Sequence, residues 1–303
     1  MRASEISAPG ARAPLQYGTV AKFHLEKREF MIQEPRFPVS STDGAFTLKT
    51  IGHVASDYPD KFGIPRQPGL APSARAILYL TSTFDDPLAV EGLEAMTHLW
   101  LTFVFDRSPE NWTSRVRPPR LGGNQRIGVF ASRSTHRPNR LGLSLVELVD
   151  IECTPKPTFA QTPIAGSRLA EHRSRVKLHL RGHDLCDGTP ILDIKPYLPW
   201  AESRPDAGAG FAPAPPPQHR VTFSDAANDA LQRHPDGESL TSLIEEVLAQ
   251  DPRPAYHAGK RAPATRNDTT KRYGVFLRDV NVRFIALESE SGTEMQVTAI
   301  EPR

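Results

Sequence analysis

Residues 98–105 read HLWLTFVF, and the fold class turns on whether this stretch is a strand or part of something longer. The apolar run at 99–105 is the longest in the chain and is bounded by His98 and Asp106. It is strand-sized and far short of the roughly 20 apolar residues that a membrane-crossing helix needs. Aromatic and β-branched residues of this kind fit a pleated, half-buried surface. Runs of the same character recur at 46–54 (FTLKTIGHV), 76–80 (AILYL), 127–131 (IGVFA), 143–152 (LSLVELVDIE) and 175–181 (RVKLHLR), with turn residues between them. Few helix-length amphipathic segments interrupt the series. The expected architecture is therefore mainly β, a closed or nearly closed antiparallel barrel, and not a doubly wound Rossmann sheet.

The 303 residues, 38% of them hydrophobic, suffice for two domains. The 29 prolines cluster at places that read as linkers or insertions. Residues 1–45 lack a sustained apolar period and read as a largely disordered extension. The barrel domain is expected at 46–202, with an inserted loop at 154–174 (TPKPTFAQTPIAGSRLAEHRS). A Pro/Ala/Gly linker, SRPDAGAGFAPAPPPQHR, follows at 203–220. Beyond it, 221–303 reads as a small α+β domain. Helices are expected at 224–233 and 239–250, and strands at 273–278, 281–287 and 294–300, the first two joined by a hairpin at Asp279 and Val280. Two cysteines, Cys153 and Cys186, stand in no metal-ligand spacing, and the first thirty residues show no secretory apolar stretch. A reduced, cytoplasmic protein with no membrane span is the expectation.

Charge is distributed unevenly. Residues 115–140 (RVRPPRLGGNQRIGVFASRSTHRPNR) carry seven arginines and no acid, while the whole chain has a formal charge of only +2. Like charge gathered this way opposes something anionic, since self-repulsion otherwise destabilises the fold. Interleaved Pro, Gly and Asn hold such loops in fixed shapes, so the segment reads as a preformed cradle for phosphates or carboxylates. Neither a GxGxxG turn after a strand nor a GxxxxGK[ST] loop is present. His179 and His183 stand four apart on a strand-like segment with no third ligand, and read as polar residues of a sheet face.

Within the basic segment, 128–142 reads GVFASRSTHRPNRLG. A buried strand through Val129 and Phe130 would deliver Arg133 and Ser134, then Arg137, Pro138 and Asn139, into a constrained turn. This block resembles the signature of the TrmO-like (YaeB/TsaA-like) family. Further stretches are similar to the same family: PRQPG at 65–69, GLE at 92–94 with HLW at 98–100, RPPRLGG at 117–123, DLCDGTP at 184–190, DIKPY at 193–197 and QDPRPAY at 250–256. In order, they span from about residue 48 to the C-terminus. Residues 1–45 have no recognised counterpart, 154–174 looks longer than the family's usual connection, and Arg140 stands where the family often has proline.

The resemblance implies a methyltransferase that uses S-adenosylmethionine to methylate N6 of threonylcarbamoyladenosine at position 37 of certain tRNAs. It also implies a cofactor pocket on the barrel near a homodimer interface. The matching positions are Pro65, Arg66, Gln67, Arg133, Leu143, and Asp184, Leu185, Cys186, Asp187 and Gly188, with Asp106 as a further candidate. An arginine suits the methionyl carboxylate, and an aspartate its ammonium or a ribose hydroxyl. The acceptor is a urea-type nitrogen, a poor nucleophile that needs alignment and removal of its proton. Asp187 is the candidate general base; an Asx-type bond to the backbone is its alternative role. Arg117, Arg120, Arg137, Asn139 and Arg140 are the candidates for contact with the tRNA anticodon loop. Arg253, Lys260, Arg261, Arg266, Lys271 and Arg272 either extend that track or solvate a loop. His98 is either a site residue or a satisfied core histidine. Two competing readings are a non-catalytic RNA-binding module and a methyltransferase acting on another acceptor.

Overall fold

The computed structural model describes residues 46–121, 125–154, 174–253, 271–289 and 292–303. The expected N-terminal extension, all but the two end residues of the expected insertion at 154–174, and the basic positions 260, 261 and 266 lie outside these residues.

Six strands close into an antiparallel barrel: β1 (Gly52–Ser56), β2 (Arg75–Leu80), β3 (His98–Val104), β6 (Leu141–Cys153), β7 (Val176–Arg181) and β8 (Pro190–Pro196), in the order β1-β2-β7-β6-β3-β8. Closure comes from β8 returning to β1, with Gly52 opposite Ile191. Period two explains the interior. Leu99, Leu101 and Phe103 of β3 point inward, as do Gly142, Ser144, Val146 and Leu148 of β6. Leu78, Leu178, Leu180 and Ile191 complete a hydrophobic core, each such side chain stabilising the fold by roughly 1.5–3 kcal/mol. Gly142 is opposite Phe103, and a Cβ at position 142 would lie 2.3 Å from the Phe103 ring. Only glycine lets that ring cross the strand.

Three local expectations are corrected. The first strand begins at Gly52; 46–50 carries no ladder, and Ile51 alone joins the edge through backbone bonds to Ile191 and Thr81. The run at 127–131 forms only a two-residue strand, β5 (Ile127–Gly128), paired with β4 (Arg115–Val116); a 3-10 turn, Val129–Ala131, follows. With no ladder to continue its alternation, the segment buries Val129 but leaves Phe130 72% exposed. The barrel-closing strand Pro190–Pro196 is not among the expected strands; its prolines, Asp193 and Lys195 interrupt the apolar alternation.

After a single helical turn, α1 (Pro199–Glu202), the residues 203–219 have no helix or strand. The last expected linker residue begins β9 (Arg220–Phe223), which pairs in parallel with β12 (Gly292–Pro302). Helix α2 (Asp225–Arg233) is capped by Ser224, whose Oγ accepts from the Ala227 amide at 3.3 Å. Helix α3 (Gly237–Ala249) buries Leu240, Leu243, Ile244, Val247 and Leu248, the stripe its spacing foretells. With β10 (Tyr273–Leu277) and β11 (Val280–Ser289) the second sheet runs β10-β11-β12-β9. The β10–β11 turn is Arg278 and Asp279, one residue earlier than expected, with Arg278 at φ 52°. Arg253 is 7% exposed and bound to Asp251 through Nε at 2.7 Å, so it is a structural cation and not part of an open basic track. Tyr58, Ala71 and Ala74, from the connection between β1 and β2, are buried in this second core. Residues 48–303 form one compact unit. Among the described residues no helix is long and apolar enough to cross a membrane.

Candidate functional site

A cavity of about 760 Å³ opens where five segments converge: 61–67, the end of β3 through Pro109, 132–137, the start of β6, and the turn 184–189. Its size is ordinary for a small-molecule site. Phe103 and Phe105, edge to face with centroids 5.1 Å apart, line it together with Leu141 and Leu143. Against this apolar surface stand Arg66, Arg107 and Arg133 and the carboxylates Asp106 and Asp184.

Asp184 is the most deeply buried of these acids. Ser144, the one hydroxyl on the inward face of β6, donates to its Oδ1. Burial pushes the carboxyl up to about 6, with Ser144 and Arg133 pulling the other way. Arg133 donates to Gln67 Oε1, and Gln67 Nε2 donates to the Arg66 carbonyl, tying the arm at 132–137 to the segment at 65–67. Arg66 itself is held below its ordinary value by burial, with Asp251 opposing that shift and Arg120 adding to it. Arg107 donates through Nη1 to Cys186 Sγ at 2.8 Å and through Nη2 to the Asp187 carbonyl. It thereby anchors the turn that carries Asp184. Burial raises the Cys186 thiol, so it stays protonated at neutral pH.

Nine of the eleven candidate cofactor positions line the cavity: Pro65, Arg66, Gln67, Asp106, Arg133, Leu143, Asp184, Leu185 and Cys186. Asp187 and Gly188 do not. The Asp187 Oδ1 accepts from the Ser56 amide at 3.0 Å, and its own amide donates to the Tyr58 carbonyl at 2.9 Å. Gly188, at φ 80°, donates to Val54. Both fasten the turn to β1. The carboxylate of Asp187, the residue expected as general base, satisfies a strand end and does not line the cavity; Asp184, three residues earlier, does.

Of the seven arginines in the basic segment, Arg133 and Arg137 reach the cavity wall. Arg137 donates to the Ser132 carbonyl at 2.8 Å, and its guanidinium sits 5.9 Å from the Phe130 ring centroid. Arg120 donates to the Ala214 carbonyl, and Arg140 to that of Ser108 at 3.2 Å. Arg117 and Asn139 are exposed. Hydrogen bonds to neutral carbonyls fix the shape of the arm without neutralising its charge. Among the described residues, Arg140 alone of the seven has a carboxylate within ion-pair distance, the exposed Glu110 at 3.9 Å. Arg140 also sits at φ 50°, a conformation closed to proline.

His183 is a neutral core residue and not a sheet-face one. It is buried against Tyr58, its Nε2 donates to the Arg75 carbonyl at 3.0 Å, and burial lowers it to about 4. His98 is exposed and is not a core histidine. Among the described residues no three metal-ligating side chains cluster. Sequence reasoning missed Phe103, Phe105, Arg107 and Ser144. Of these, Ser144 was findable, as a lone hydroxyl at an inward position of an apolar strand.

Comparison with known proteins gives the chain's family and fold. A family model described as tRNA-methyltransferase O N-terminal domain matches residues 53–203, and one described as TrmO C-terminal domain matches 216–303. The tRNA (adenine(37)-N6)-methyltransferase of Escherichia coli is 46% identical over 265 residues, covering 86% of this chain and 99% of its own. A putative S-adenosylmethionine-dependent methyltransferase of Pseudomonas aeruginosa, RcsF, is 44% identical over 243 residues, 78% of this chain and 91% of its own. The crystal structure of TrmO from P. aeruginosa superposes with a TM-score of 0.61 at 36% identity, covering 86% of this chain and 98% of that one.

Proposed function

The chain belongs to the TrmO family, and from that premise we propose that the cavity is where S-adenosylmethionine and the tRNA acceptor meet. The enzyme is an S-adenosylmethionine-dependent tRNA (adenine37-N6)-methyltransferase. We further assign the threonylcarbamoylated base as acceptor. Its threonyl carboxylate and the neighbouring anticodon-loop phosphates suit an arm whose guanidiniums keep their charge.

The donor set fits the cofactor. A zwitterionic methionyl group needs a cation and an anion, which Arg66 or Arg133 and Asp106 supply, and an adenosyl group needs the apolar surface of Phe103, Phe105 and Leu143. When bound, the cofactor supplies an electrophilic sulfonium methyl. The residues of this chain do the rest. The Arg133–Gln67 link fixes the wall at 65–67, and the aromatic pair keeps water from the reacting groups. Asp184 is the proton acceptor for the N6–H that the new N–CH3 bond replaces. Its carboxyl titrates near 6, so it is ionised at neutral pH yet basic enough to take a proton.

The observation that carries this reading is a half-buried carboxylate on the wall of a cavity ringed by arginines. A module that only bound RNA has no use for it. We read the enzyme as cytoplasmic and as a homodimer in which a second copy covers the exposed Leu143 and Phe130, 56% and 72% exposed. The test is methyl transfer from labelled S-adenosylmethionine to matched tRNAs with and without threonylcarbamoyladenosine at position 37. Label only in the modified tRNA, mapping to N6, supports the assignment; equal labelling of both removes the threonylcarbamoyl requirement.

A further inference from the structure

The connection between β1 and β2, residues 57–74, faces two ways. On one side it belongs to the C-terminal core. Tyr58, Ala71 and Ala74 are buried with Leu240, Leu243, Ile244 and Val275. Gly63, at φ 92°, has no room for a side chain, since a Cβ would lie 2.2 Å from Val275 Cγ2. Helix α3 grips the connection directly. Glu246 accepts from the Ser73 amide through Oε2 and from the Ser73 hydroxyl through Oε1, both at 2.8 Å. One turn on, Gln250 Nε2 donates to the Leu70 carbonyl at 3.0 Å.

On the other side the same connection makes the cavity. Ile64, Pro65, Arg66 and Gln67 line one wall. The turn at 184–189, which also lines the cavity, is tied to it as well: the Gly69 amide donates to Gly182 at 2.7 Å, Gly182 to Ala74 at 3.0 Å, and Asp187 to Tyr58 at 2.9 Å. These bonds flank the turn that holds Asp184. Glu246 therefore holds directly a segment that both builds and braces the cavity.

We propose that Glu246 is a positioning residue: acting through Ser73, it fixes the wall at 65–67 and so sets the affinity of the cavity for its cofactor from the C-terminal half of the chain. The chemistry of the contact supports this role. Among the described residues Glu246 has no cation within ion-pair distance. Both of its oxygens go to donors on one loop residue, a two-point grip that fixes orientation as well as distance. A surface glutamate needed only for solubility has no reason to do so. With the grip released, the loop samples more conformations, and binding must then order it again.

The inference rests on the cavity being the cofactor site, and the experiment separates the two. Binding of S-adenosylhomocysteine to the full chain is measured by calorimetry for the wild type and for Glu246→Ala, Glu246→Gln, Ser73→Ala and the Glu246→Ala/Ser73→Ala pair. Glu246→Ala weakens Kd about tenfold, within the usual range for coupling between sites. It raises the cofactor KM by a similar factor and leaves kcat at saturation near the wild type. Glu246→Gln, which keeps one acceptor, falls between. The double variant binds no more weakly than Glu246→Ala alone, because both changes break one contact. Should Glu246→Ala fail to fold, Ser73→Ala carries the same expectation at about threefold, the loss of one hydrogen bond. A wild-type Kd in the folded variants, even with a lowered melting temperature, overturns the positioning role alone. Absence of binding by the wild type overturns the cavity reading and the positioning role with it.

Discussion

Replacing Asp184 by asparagine should make the protein more stable and the enzyme slower, and both effects follow from burial. The Asp184 carboxyl titrates near 6 in the folded chain, raised from 3.8 chiefly by burial. A difference of about two units corresponds to ~3 kcal/mol, at 1.36 kcal/mol per unit. The sign is that of a raised acid. Below pH about 4 both folded and unfolded chains hold the proton and no penalty exists. Between about 4 and 6 the unfolded chain ionises first, and the penalty grows; above about 6 it is fully present. Asp184→Asn removes the charge and keeps an oxygen to accept from Ser144. Its gain in stability is therefore absent in acid and reaches up to ~3 kcal/mol above pH 6.5. Urea denaturation across this pH range measures it. In single-turnover methyl transfer the wild-type rate should rise with pH through a limb near 6. The variant should lose the limb and about 10²–10⁴-fold in rate, the contribution expected of a positioned base. A variant that gains no stability above pH 6.5, or that keeps the acid limb, refutes the assignment of Asp184 as the proton acceptor.

Substitutions at three other positions probe the surroundings. Gly142→Ala drives a methyl group into the Phe103 ring; overpacking of about 1–3 kcal/mol should appear as a lower melting temperature together with weaker S-adenosylhomocysteine binding, and an unchanged value of both contradicts the packing account. Arg140→Pro should destabilise by about 3 kcal/mol or more in urea denaturation, since proline cannot adopt φ 50° and loses the amide bond to Arg137. Arg140→Gly should stay close to the wild type in the same assay. Arg117→Ala should leave cofactor binding untouched and reduce the slope of log K for tRNA against log salt by about 0.7–0.9, measured by filter binding.

The barrel was legible because its strands obey period two: the residues that HLWLTFV and LGLSLVEL place on one face are the ones the core contains. The helices of the C-terminal half were legible for the same reason at period 3.6. Phe130 shows the limit. An apolar run predicts a strand only if a partner supplies a ladder, and IGVFA has one for two residues. The closing strand was hidden because Ile191 is its one fully buried residue. The cavity was legible only through resemblance, since five separate segments converge there and no local pattern records the convergence. Asp184 and Asp187 share one turn and are alike in sequence; a bond to the Ser56 amide, 131 residues away, decides which of them turns from the cavity. The two-faced role of 57–74 was equally hidden, because its partners lie in both halves of the chain.

The most direct test of the account is a crystal structure of the chain grown with S-adenosylhomocysteine. The account predicts the ligand in the cavity of about 760 Å³, between the wall at 65–67, Arg133 and the turn carrying Asp184. Ligand density elsewhere on the protein, with this cavity filled only by solvent, contradicts it.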